Sequence, residues 1–272
     1  MTPRAMERLA ARLSARDLTL LRTLQRSRFA TTKQLARFAR AGHASSASAL
    51  RQTSRALRAL DELSLVGHLE RRIGGRRSGS AGLVWALTPL GHRLLTQVDG
   101  RPESRRHRKE PEPSTAFLEH TLAVTEVHLI LFELSHDSVH DVQLVAFEHE
   151  PESWRRYLDR QRGAVHLRTD AYAELRIGEF HDSYFLEVDR ATEAPVIVVR
   201  KCLQYQEYRR SGLEQKLHDV FPAVVWITPH EKRAQQLKVR LQEEPGITKD
   251  LFSVVTIDDL RHHIVAGPAD AL

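Results

Sequence analysis

The chain of 272 residues has a single cysteine, Cys202. One thiol excludes an internal disulfide and any zinc site built from several cysteines, and it fits a reducing compartment, so a cytoplasmic location is expected. The opening MTPRAMERLAARLSARD lacks the apolar run of a secretory leader. No stretch approaches the roughly 20 apolar residues needed to span a bilayer, so no membrane partner is expected. Walker A and strand-linked Gly-x-Gly-x-x-Gly sequences are also missing, which argues against nucleotide-driven chemistry. Acidic residues are scarce early on: residues 1–110 have 8 Asp and Glu against 23 Lys and Arg. Residues 111–272 reverse the balance, 27 against 18. The formal net charge of +6 therefore conceals a cationic module joined to an acidic one, and the length fits two domains.

The cationic part reads as three short helices and a hairpin. Ser14 with Asp17 forms a capping-box signal ahead of Leu18, Leu21 and Leu24, and Thr31 with Gln34 repeats it ahead of Leu35 and Phe38. After the Gly-Ser loop AGHASSAS, a third helix is expected over 46–64, with Leu50, Leu57, Leu60 and Leu63 inward. Its other face shows Ser46, Ser48, Arg51, Gln52, Arg55 and Arg58. The strands LVGHLERRI and AGLVWALT, joined by GGRRSGS, make a hairpin with a basic tip, and Thr88-Pro89 opens a closing helix. This order is that of a winged helix-turn-helix, a double-stranded DNA binder whose third helix enters the major groove. Arg51, Gln52 and Arg55 have the donors to read base edges, whereas Arg71, Arg72, Arg76 and Arg77 suit phosphates. A solvated arginine face in a module that binds protein is the plainer alternative.

The fold class expected is α+β, with a winged helix over 1–97, a charged, Pro-containing linker over 98–115 and a mixed-sheet α/β domain over 116–272. The linker's Arg105, Arg106, Arg108 and Lys109 add charge for non-specific phosphate contact or merely for solvation. In the acidic domain a long helix over 117–134 precedes strands at VQLVAFEHE, AVHLRTDAYAELRI and SYFLEVDRA. A helix opening at Pro195, the strand PAVVWIT, a helix over 230–243 and the strand LFSVVTI follow. Asp170 enters one strand, while Glu187 and Asp189 share a face of the next; antiparallel pairing brings Asp170 close to Glu187. Such carboxylates can hold Mg²⁺ or Mn²⁺ for phosphodiester hydrolysis, with Lys201 on the following helix within reach. They can equally be strand-end charges paired with Arg168, Arg190 or Arg200. His136 and His140 stand in a loop pattern without further ligands, and Tyr205 and Tyr208 read as packing or hydrogen-bonding groups.

The acidic domain resembles the PD-(D/E)XK nuclease fold. Arg168-Thr169-Asp170 stands where that fold has its Pro-Asp motif, and Glu187-Val188-Asp189 where it has (D/E)-x-K. Asp189 occupies the lysine position. Some members carry the lysine on the next helix, where Lys201 lies, and Glu119 matches an accessory acid of others. Nearly the whole chain is also similar to the replication-relaxation family of mobile elements. The similarity is carried by TTKQLARF, ALRALDELSLVGHLERR, VWALTPLGHRLL, FLEHTLAVTEVHL, RTDAYAEL, FLEVDRATEAPVIVVRKCLQYQEYRRSG and FPAVVWITP. That resemblance implies a DNA-binding role in plasmid or integrative-element replication initiation or relaxed-complex formation, with relaxase or replication proteins as partners. The alternatives are a metal-dependent endonuclease targeted by its winged helix, and a transcription regulator whose acidic half senses a ligand or forms a homodimer.

Overall fold

A computed structural model describes residues 2–40, 45–69, 82–100, 113–159 and 163–267. The tip of the basic hairpin, with Arg71, Arg72, Arg76 and Arg77, lies outside them, as do the linker residues Arg105 to Lys109. The chain forms two compact units, 1–129 and 130–272.

In the first unit the helices are α1 (Pro3–Ala10), α2 (Ala15–Ser27), α3 (Thr32–Phe38), α4 (Ser46–Glu62) and α5 (Pro89–Val98). A three-stranded sheet of β1 (Ala30–Thr31), β2 (Val66–Leu69) and β3 (Val84–Leu87) accompanies them, in the order β1-β3-β2 and wholly antiparallel. Both expected capping boxes form, Ser14 with Asp17 and Thr31 with Gln34. They start helices that intrinsic propensity alone would leave marginal. Leu20, Leu21, Leu24, Leu35, Leu57, Leu60, Leu65, Trp85 and Leu94 form the core. On α4 the inward stripe is Ala49, Thr53, Leu57 and Leu60, and Leu50 is exposed. At about 100° per residue these four span an arc of about 80°, and Leu50 falls just past its edge beside Leu57, so packing and not the period decides its exposure.

One long helix, α6 (Thr115–Leu134), crosses from the first unit into the second. Up to Leu129 it packs with the first unit. Leu118 and Leu122 join Phe29 and Val84, Gln34 Nε2 donates to the Leu122 carbonyl at 3.0 Å, and Arg37 pairs with Glu126. The boundary between compact units thus falls inside the helix, later than the composition break at the linker. At 20 residues and a mean hydropathy of 1.2, α6 has the length and apolarity of a membrane span, contrary to the expectation that no segment approaches one. Its buried Leu118, Leu122, Val124, Val127, Leu131 and Leu134 lie on more than one side, as they do in a helix packed inside a protein.

The second unit is built on a five-stranded mixed sheet in the order β10-β9-β8-β7-β4. Its strands are β4 (Val142–His149), β7 (Ala171–Ile177), β8 (Phe180–Val188), β9 (Ala223–Thr228) and β10 (Phe252–Thr256). The first three run antiparallel, and β9 and β10 continue parallel to β8. A separate two-stranded ribbon pairs β5 (Arg155–Leu158) with β6 (Ala164–Leu167). The segment 164–177, expected as one strand, is therefore two; it breaks at Arg168–Asp170, where Thr169 Oγ1 donates to the Ser153 carbonyl at 2.9 Å. The helices are α7 (Pro195–Ser211), α8 (Leu213–His218), α9 (Glu231–Glu243) and α10 (Leu260–Ala266), with a 3₁₀ turn at Lys249–Leu251. The β-branched start of α7 disfavours a helix locally, but Val198, Val199, Cys202, Tyr205 and Tyr208 bury against the sheet and decide the matter.

Gly91 on α5 lies against the loop before β2. A Cβ there would meet the Leu65 carbonyl oxygen at 2.1 Å and its carbon at 3.1 Å. The nearest obstacle is backbone, which cannot swing aside as the Leu87 side chain at 3.2 Å could. Gly91→Ala is therefore expected to lose about 3 kcal/mol of stability or more, despite alanine's better helix propensity. Urea unfolding checks this, and a change under about 1 kcal/mol would contradict the close approach.

Candidate functional site

The geometry of the second unit's polar group begins at a turn. Gly178-Glu179 joins β7 to β8 directly, with Ile177 paired to Phe180 and Gly178 at φ +58°. A two-residue hairpin with glycine at its first position fixes the register. That register pairs Ala171 with Leu186 and leaves Asp170 across from Glu187. The expected antiparallel approach of these two carboxylates is what the strands produce.

Face parity then buries Glu187. Tyr172 pairs with Phe185, and Phe185 with Val224, on the sheet face that packs against α7 and α9. Two residues after Phe185, Glu187 points the same way and is 1% exposed. Lys201 and Tyr205, four apart on α7, share the face that meets it. The Lys201 ammonium and the Tyr205 hydroxyl each donate to one Glu187 oxygen, and Lys201 Nζ lies 3.9 Å from Asp170 Oδ1. The other oxygen of Asp170 accepts the Val188 backbone N–H at 2.7 Å. Burial pushes the Glu187 carboxyl above the usual carboxylate range, against the pull of the Lys201 ammonium and with a push from Asp170. Burial also opposes the lysine's charge, but Glu187 and Asp170 outweigh it and hold Lys201 protonated. Tyr205 is raised as well, first by burial and then by Glu187.

Asp189 takes a different partner. Arg233, near the start of α9, donates to it through Nε at 2.5 Å and through a terminal nitrogen at 3.3 Å, and to the Glu193 carbonyl at 2.7 Å. Both side chains are buried, 5% and 3% exposed. For Glu187 and Asp189 the arginines expected, Arg168, Arg190 and Arg200, are not the partners found among the described residues. Lys201 serves Glu187 and Asp170, and Arg233 serves Asp189. Arg233 lies 44 residues from Asp189 and no motif in the sequence connects them. Glu119 lies on the part of α6 that belongs to the first unit. Among the described residues, no group of three or more His, Cys, Asp or Glu is arranged to hold a metal ion. Cys202, beside Lys201, is fully buried, and burial pushes its thiol up, so it is a packing group.

In the first unit, α4 turns Ser46, Arg51, Arg55 and Arg58 to the exterior while its opposite face locks into the core. Ser48 and Gln52 are half-buried. Gln52 accepts from Arg16 at 2.7 Å and donates to Ser48 at 3.3 Å, so its amide is already engaged within the unit. Ser46 and the arginines at positions 51, 55 and 58 are the expected contact residues of this helix that are open to a ligand.

A family model described as replication-relaxation matches residues 21–224. Comparison with curated proteins and with solved structures finds no match.

The Asp189–Arg233 pair makes a direct prediction. Arg233→Met strands a buried carboxylate and is expected to cost about 3–5 kcal/mol. Adding Asp189→Asn should recover part of that loss, since the uncompensated charge goes with it. Urea unfolding of both single variants and the double variant checks this, and strictly additive losses would show that the pair is not coupled.

Proposed function

The chain belongs to the replication-relaxation family, and from that premise we propose that it is a DNA-binding protein acting in plasmid or mobile-element replication. The observation that carries this reading is the α4 face of Arg51, Arg55 and Arg58, exposed on a unit whose sequence is strongly basic. The helices α2, α3 and α4 followed by the antiparallel β2–β3 pair support reading the unit as a winged helix, with α4 in the major groove and the β2–β3 hairpin along the backbone. In that arrangement phosphate contacts set position, and Arg51 and Arg55 supply donors for base edges. Cytoplasmic duplex DNA is the ligand, and relaxase or replication proteins are the partners this role implies. With about five phosphate contacts, the full chain should bind duplex DNA with a log–log salt slope near −4 to −5. Fluorescence anisotropy from about 50 to 300 mM salt measures it. Arg51→Ala with Arg55→Ala should weaken binding at least tenfold, and salt-insensitive or absent binding by the wild type would overturn the reading.

A second reading, metal-dependent cleavage of DNA, is favoured by the convergence of Asp170, Glu187 and Lys201 beside an antiparallel pair of nuclease-like order. Paired carboxylate oxygens suit Mg²⁺ or Mn²⁺, which keep several waters and use one or two carboxylates. Asp170 and Glu187 would hold the ion, which would supply a polarised phosphoryl oxygen or an activated water. Lys201 would lend positive charge to a phosphate brought to that strand end. Asp189, at the position where the resemblance leads one to expect lysine, has its charge matched by Arg233 and so repels a phosphate less than a bare carboxylate. If this reading holds, Mn²⁺ raises the melting temperature of the wild type by mass action but not that of Asp170→Asn, and only the wild type nicks supercoiled DNA. Equal shifts in both proteins, or none in either, would defeat it.

A further inference from the structure

The β5–β6 ribbon has two unlike faces. It pairs Arg155 with Leu167, Arg156 with His166, Tyr157 with Val165 and Leu158 with Ala164. Tyr157, Leu167 and Val165 face inward and join the core under α7. Arg155 on that side is held by Glu148 at 3.2 Å and Glu214 at 3.3 Å, and its guanidinium lies 4.7 Å from the Tyr172 ring centroid. Arg156, Leu158, Ala164 and His166 face outward and are exposed, Leu158 by 61%. The same alternation continues past the ribbon's base to Trp154 and Arg168, where the guanidinium stands 5.0 Å from the indole ring centroid. Unlike Arg155, Arg156 and Arg168 have no carboxylate partner among the described residues.

This concentration of positive charge runs against its surroundings. Residues 111–272 are acidic overall, yet residues 155–168 hold five arginines and one aspartate. The ribbon is also tied to the carboxylate–lysine group. Ser153 Oγ donates to the Thr169 carbonyl at 2.8 Å across the ribbon's base, and Asp170 is the next residue. From α7, three residues beyond Lys201, Gln204 Nε2 donates to the His166 carbonyl at 3.2 Å.

We propose that the outward face of this ribbon, through Arg156 and Arg168, grips the phosphate backbone of a DNA duplex and forms a DNA-contact surface in the acidic half, beside Asp170. The inference rests on the reading that the chain binds DNA. A two-stranded ribbon is narrow enough for the major groove, and guanidinium groups without a carboxylate partner are suited to phosphate oxygens. Stacking on Trp154 holds the Arg168 guanidinium in place and lowers the entropy lost when it binds.

The test uses the full chain, a fluorescently labelled duplex of random sequence, and anisotropy across a salt series. Arg156→Ala with Arg168→Ala should flatten the log–log slope by about 2 and weaken binding near 0.1 M salt on the order of ten- to a hundredfold. The melting temperature should change little, because both side chains are exposed and only the surface contact of Arg168 with Trp154 is lost. Arg156→Lys with Arg168→Lys should restore most of the slope. An unchanged slope in the alanine variant overturns the proposal, and so does a lysine variant as weak as the alanine one. If the wild type binds with a steep slope that Arg51→Ala with Arg55→Ala reduces, while the ribbon variant binds like wild type, the ribbon proposal alone fails. If the wild type shows no salt-dependent binding, the DNA-binding reading fails with it.

Discussion

A carboxylate on the apolar face of a sheet must be compensated, and the second unit is organised around that requirement. Glu187 follows Phe185 on the face that α7 covers, so it is buried among aromatic side chains. Left alone, such a group would cost several kcal/mol of desolvation. Lys201 and Tyr205 meet both of its oxygens, which requires α7 to lie on the sheet in one rotation and one register. The tight turn at Gly178 sets the other side of the arrangement by placing Asp170 across from Glu187. The group that invites a chemical reading is also the group that pins the helix to the sheet.

Arginine plays two parts in this chain, distinguished by what faces it. Arg155 and Arg233 are enclosed with carboxylates and serve to neutralise buried charge: Glu214 in one case, beside the more exposed Glu148, and Asp189 in the other. Arg51, Arg55 and Arg58 on α4 are exposed on the side opposite the core, as Arg156 and Arg168 are on the ribbon. Composition cannot separate the two kinds. An arginine closed into a low-dielectric pocket with an acid has little left to offer a phosphate, whereas an exposed one keeps its full fork of donors.

The helix α6 shows how covalent continuity and packing can disagree about a boundary. Composition marks a break at the Pro-rich, charged segment before it. Contacts place its first two turns, and more, with the first unit through Gln34, Arg37 and Phe29. Its buried residues, Leu118 and Val124 among them, lie on more than one side of the helix.

Local chemistry made much of this architecture readable in the sequence. The capping boxes at Ser14 and Thr31, Pro89 after Thr88, the apolar-rich VQLVAFEH and the apolar run AVVWIT all act over a few residues, and each element formed where they placed it. The convergence of Asp170, Glu187 and Lys201 was legible for the same reason: strand parity, a short connection and one helix determine it. Tertiary packing alone decided that Leu50 gives way to Ala49 and Thr53, and that 164–177 breaks into a ribbon and a sheet strand. It alone assigned Arg233 to Asp189 and engaged Gln52 with Arg16. Ion pairs between distant segments leave no period or spacing in the chain, because any arginine on the facing element satisfies the same charge. Which one does so is settled only when the helices have packed.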